Sequence, residues 1–110
     1  MPYIAPELRQ ELDPLIDALA QRLADQAQAA GSDGAFTGLL NYACTRLSLG
    51  VIRRRFGRLR YWLIAATTGV FHNMATEFYR RLAAPYEDRQ MALSGDVDLF
   101  QEFIGEIEKP

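Results

Sequence analysis

The sequence predicts an all-α protein, a small bundle of three main helices with short helices toward its C-terminal end. Three observations carry this. Apolar residues recur three and four positions apart along most of the chain. No stretch shows the two-residue alternation of a half-buried strand. Helix-start and helix-stop residues (Pro6, Asp13-Pro14, Gly31, Gly57, Pro85, Gly95) punctuate the chain at helical intervals. With 110 residues, 49% hydrophobic and 24% charged, a single helical domain spanning 1–110 is the expected organisation. A chain of this size can bury roughly two-thirds of its surface without staples.

Pro6 suits the first position of a short helix ending near Leu12, and Asp13-Pro14 marks a fresh start, a capping carboxylate followed by proline. The first main helix is therefore expected over 14–30. Its stripe is Leu15, Leu19, Leu23 and Ala27, continued backwards by Leu8 and Leu12. Gly31 ends it, and Asp33 is placed to cap the next.

The second main helix is expected over 34–56, with Phe36, Leu40, Ala43, Leu47 and Val51 on one face. Gly38 and Gly50 weaken it, each by about 1 kcal/mol relative to alanine, which points to close approach of a neighbouring backbone. Gly57 stops it. The short link to the third helix predicts that the two pack as antiparallel neighbours.

The third main helix, 60–84, organises the rest. Tyr61 to Thr76 carries no formal charge, and its apolar residues fall on two adjacent faces: Ile64, Phe71, Ala75, Phe78 and Leu82, then Leu63, Ala66, Val70 and Met74. That predicts burial around most of the circumference. Phe71→Ala is accordingly expected to cost about 3–5 kcal/mol. Gly69 with Ala65 makes a small-residue face where another helix can come close. Pro85 must end or kink this helix, because its ring clashes with the carbonyl four residues back. Short helices follow at 86–93 and 98–108. The last carries Leu99, Phe100, Phe103, Ile104 and Ile107, with Asp96 or Asp98 as its cap. A helix so short must dock to persist.

Composition limits the function classes. The single cysteine, Cys44, admits no internal disulfide and no multi-cysteine zinc site, and is expected as a small buried hydrophobe. The start MPYIAPELRQELD lacks the basic and apolar regions of a signal peptide. The uncharged run is too short and too polar to cross a bilayer. A cytoplasmic protein with no membrane partner is expected. Net charge is −2, but unevenly spread. Residues 1–33 hold six acids and two arginines, residues 34–60 six arginines and no acid, and residues 77–110 eight acids and four bases. Such a layout lets acidic ends pack around a basic middle, or leaves a basic patch for another molecule.

Two constellations are candidates for a site. Arg53, Arg54, Arg55, Arg58 and Arg60, with Arg46 behind them, form a cluster interleaved with Phe56, Tyr61 and Trp62. Arginine pairs bidentately with carboxylate or phosphate, so this is a candidate anion or nucleic-acid patch. Asn41, Arg46, His72, Glu77, Tyr79 and Arg81 are candidates for a polar network or ligand site. His72 is the only histidine, with Thr68 and Thr76 four positions to either side. Glu77 precedes Arg80 and Arg81 at ion-pair spacing, worth a few tenths of a kcal/mol. No catalytic residue, cofactor or metal site is assigned. Asp96-Val97-Asp98 lacks the glycine and terminal glutamate of a calcium loop, and there is no phosphate-cradling glycine loop or nucleophile elbow.

Several segments together carry a resemblance: Met1-Pro2-Tyr3-Ile4 with Leu12-Asp13, LNYACTRL at 40–47, Gly69-Val70, Glu77-Phe78-Tyr79-Arg80-Arg81, Ala84-Pro85-Tyr86-Glu87-Asp88 and Gly95-Asp96-Val97. In order and spacing over residues 1–97 this resembles a family of short uncharacterised proteins from phage and other prokaryotic genomes. The resemblance implies that Asn41, Arg46, Glu77, Tyr79, Arg80, Arg81, Tyr86, Glu87 and Asp88 belong to the family signature, and implies no activity. The basic junction RRRFGRLR and the apolar tail from Leu99 depart from the pattern.

The expectation is a non-catalytic helical interaction or structural protein whose partner is a second copy of itself, with another protein as a further possible partner. One alternative is an Arg-rich nucleic-acid accessory protein. Another is a small helical nucleotide-processing enzyme using Glu77, Glu87 and Asp88.

Overall fold

The computed structural model describes residues 2–109; Met1, which opens the first motif, and Pro110 lie outside them. Five α-helices follow in order: α1 Pro6–Ala29, α2 Ala35–Phe56, α3 Tyr61–Phe78, α4 Ala84–Ser94 and α5 Asp98–Glu108. A π turn, Tyr79–Ala83, joins α3 to α4. Among the described residues there is no strand, so the all-α prediction holds. The chain divides into two units, Met1–Val70 and Phe71–Pro110, with the division inside α3.

In the first unit, α1 and α2 lie against each other. The backbone N–H groups of Leu8 and Arg9 both donate to Ala5 O, and Arg9 Nε donates to Ile4 O at 2.9 Å, which fixes the start of α1. The chain then runs through Pro14 without a break. This corrects the expected restart at Asp13. An internal proline forfeits a backbone bond and costs about 3 kcal/mol. Continuing the helix, however, keeps Leu8 and Leu12 in one stripe with Leu19 and Leu23, which a break would scatter.

Ala30 and Gly31 close α1 as expected, with Gly31 at φ 73°. Asp33 is not the cap of α2. Gly34 holds that position, and its carbonyl accepts from Thr37 Oγ1 at 2.8 Å. At the far end Gly57, at φ 73°, donates its N–H to Arg53 O at 2.9 Å, a left-handed stop that a side chain would strain.

After Gly57, Phe56 and Trp62 meet edge to face with ring centroids 5.3 Å apart, and this marks the junction of α2 with α3. Residues 61–70 are less covered than their two apolar faces predict. Only Leu63 is buried, at 3% exposure, while Ile64 and Val70 are exposed. A stretch expected to be covered on most sides is covered on one.

The glycines tell the same story. A Cβ built at Gly38 or Gly69 meets no atom within 4 Å, so no backbone approaches there. With open space around it, Gly38→Ala should stabilise α2 by about 1 kcal/mol, read from urea denaturation.

In the second unit, Pro85 does not end the helix. Ala84 N–H reaches back to Tyr79 O, five residues away, instead of four. That wider turn makes room for the proline ring, and the N–H that Pro85 lacks is not missed. The polypeptide continues as α4 to Gly95, whose N–H donates to Met91 O at 2.9 Å. Asp96 then organises the entry to α5: its carboxylate accepts the Val97 N–H at 2.7 Å and the side-chain amide of Gln101. Asp98 accepts the Leu99 N–H at 2.9 Å. Every apolar residue of the α5 stripe is exposed, Ile107 at 79%.

Candidate functional site

α2 presents Tyr42, Arg46, Gly50 and Arg54 four residues apart, so they form one ridge along the helix. On one side of the ridge is a cleft of about 510 Å³, closed by Leu49, Ile52, Arg53, Arg58 and Leu59. On the other, between α2 and α1, is a groove of about 570 Å³ whose walls include Leu19, Arg22, Leu23, Leu47 and Val51. Both hollows are apolar below and cationic at the rim, and no acidic side chain lines either.

Arg46, Arg53, Arg54, Arg55, Arg58 and Arg60 form no ion pair among the described residues. Arg53 Nη1 donates to Gly57 O at 2.8 Å, and Arg54 Nη1 to Gly50 O at 3.3 Å. The guanidinium of Arg55 sits 5.0 Å from the Phe56 ring centroid. Gly50 is what lets Arg54 fold back, since a Cβ there would lie 3.0 Å from its Nη1. These bonds to backbone carbonyls suit the C-terminal end of a helix, where cations are favoured. They leave the positive charge uncompensated.

Asn41 and Arg46 belong to the first unit, and His72, Glu77, Tyr79 and Arg81 to the second. Thr45 Oγ1 donates to Asn41 O at 2.7 Å and approaches Asn41 Oδ1 at 3.4 Å, a bond pattern local to α2. Cys44 is half-buried rather than fully buried, and its carbonyl accepts from Ser48 Oγ at 2.7 Å.

In the second unit, Arg80 grips Glu77 with two bonds, Nε to Oε1 at 3.1 Å and Nη2 to Oε2 at 3.0 Å. Arg80 is well exposed, so the pair contributes a few tenths of a kcal/mol. Tyr79 Oη donates to Glu87 Oε2 at 3.5 Å, tying the π turn to α4. Thr76 Oγ1 bonds the backbone carbonyl of His72 at 2.9 Å rather than its ring. Glu77 and Glu87 are thus engaged by Arg80 and Tyr79, and Asp88 is exposed. No three His, Cys, Asp or Glu side chains converge among the described residues. Phe78, Tyr79, Leu82 and Tyr86 surround a shallow hollow of about 500 Å³, all four exposed.

The arginine cluster is readable from the sequence, but the apolar walls beside it are not. Leu19, Leu23, Leu47 and Val51 read as core because they lie on stripes. The signal that they also form a groove is the arginine set in among them: Arg22 next to Leu23, and Arg54 three residues after Val51.

Residues 1–97 match the family described as Domain of unknown function (DUF6899), and the chain belongs to that family. No curated protein and no solved structure matches it significantly.

Proposed function

We propose that this member of a family of unknown function is a non-catalytic helical interaction protein that completes its core against a second copy of itself. One observation carries the reading: α3 and α5 expose their apolar stripes, and among the described residues a single side chain, Leu63, is buried. Apolar burial at about 25 cal/mol per Å² is the main force available to hold helices together. Exposed apolar faces this extensive mark interaction surfaces, and a two-fold dimer is the commonest way to close one. Of the three acids a catalytic reading would use, Glu77 and Glu87 are held by Arg80 and Tyr79 in helix-surface bonds.

We place the protein in the cytoplasm and, on the resemblance its motifs carry, in a phage or other prokaryotic genome. No helix of the described chain is long and apolar enough to cross a membrane. The test is light scattering over a dilution series. The expected result is the mass of a dimer falling to that of a monomer on dilution. A monomeric mass at every concentration contradicts the reading.

A second reading, nucleic-acid association, is favoured by the six arginines of residues 34–60, which have no carboxylate partner among the described residues. It predicts a mobility shift with DNA or RNA that weakens steeply with salt.

A further inference from the structure

We infer that the groove between α1 and α2 receives helix α5 of a second copy, an inference that rests on the dimer reading above and names its interface. The match is one of length, apolarity and charge spacing. Along α2 the groove runs from Leu39 to Arg54, roughly 22 Å at 1.5 Å per residue, and the eleven residues of α5 need roughly 16 Å. The groove floor is leucine and valine, and α5 carries an exposed stripe of Leu99, Phe103 and Ile107 at four-residue intervals.

The charges fit as well. The backbones of Arg46 and Arg54 stand eight residues apart on the rim, about 12 Å along the helix, and the Arg54 guanidinium, folded back over Gly50, is free to extend toward an incoming carboxylate. Asp98 and Glu106 stand eight residues apart on α5, about the same 12 Å, with Glu102 between them. Arg22 supplies a cation on the opposite wall. Neither set has an opposite charge to neutralise it among the described residues.

A second copy is the occupant because the complementarity is reciprocal. Each chain has one groove and one α5, and exchange of the two helices closes a two-fold assembly with both faces covered. The same pairing accounts for the net charges, positive across residues 34–60 and negative beyond residue 77.

The experiment uses two charge-reversed forms of the full chain, one carrying Arg46→Glu and Arg54→Glu, the other Asp98→Arg and Glu106→Arg. All four positions are exposed, and unchanged helicity by circular dichroism confirms that each form folds. Each form alone should dimerise at least about tenfold more weakly than wild type, because like charges now face each other. An equimolar mixture should recover dimer, because in the mixed pair both grooves meet an α5 of opposite sign. Helices docked within their own chain gain nothing from mixing, so absence of recovery overturns the inference. So does wild-type-like dimerisation of either form alone, which leaves the dimer reading standing. If the arginine-reversed form dimerises normally but no longer binds a fluorescent oligonucleotide that wild type binds, the groove is a polyanion site and the inference fails. A monomeric wild type at all concentrations would instead remove the dimer reading beneath it.

Discussion

Leu63→Ala should lower the unfolding free energy by about 2–5 kcal/mol, the range for truncating a buried leucine. Leu63 is 3% exposed and is the only buried hydrophobic among the described residues. It sits where α3 begins, with its N–H bonded to Arg60 O at 3.0 Å. Its removal leaves a cavity at the start of α3. Phe71 reads in the sequence as the natural core position, but it is 40% exposed. Phe71→Ala therefore loses less transfer free energy within one chain, and the figure of about 3–5 kcal/mol expected for a buried aromatic does not apply there. Urea denaturation of both variants at one low protein concentration gives the comparison. If Phe71→Ala proves the more damaging under those conditions, the exposure seen in the structure is not that of the protein in solution.

Thermal stability should rise with protein concentration. A partner that binds only the folded chain stabilises it by mass action, about 2.7 kcal/mol at a hundredfold excess over the dissociation constant. For a chain with so little buried internally, that term is a large share of the total, since small domains hold about 5–15 kcal/mol. Calorimetry across a dilution series should show the melting temperature climbing steadily. A concentration-independent melt would mean that the exposed faces of α3 and α5 stay in water.

Helix positions were legible in the sequence because periodicity and stop residues agree: Gly31, Gly57 and Gly95 all lie where helices end. Neither Pro14 nor Pro85 stops its helix, for one reason. A proline signals the loss of a hydrogen bond, but whether the helix stops depends on what continuing preserves. At Pro14 it preserves the leucine stripe. At Pro85 a wider turn absorbs the ring. Burial was the least legible property. The pattern on Tyr61 to Thr76 specifies two faces that avoid water, and nothing in it says whether the covering side chains come from the same chain. For the site, the arginines were plain in the sequence. The groove beside them was hidden, because Leu19 and Val51 look alike whether they face a neighbour or an opening.

The π turn at Tyr79–Ala83 makes angular phase a property separate from chain length. An α-helix advances about 100° per residue. A turn closed over five residues instead of four holds one residue more than the regular spiral needs, so every side chain beyond it is set back by about that angle. The stripe that runs through Phe71 and Phe78 is therefore not the stripe that α4 continues. Phe78, Tyr79, Leu82 and Tyr86 share one patch around this turn. Were position 85 a residue able to donate its N–H, the same number of residues could relax into a regular helix, and Tyr86 and Glu87 would swing to another side of the rod. Proline at 85 thus acts as an indexing pin: it sets the clock position of α4 relative to α3 without altering how many residues lie between them.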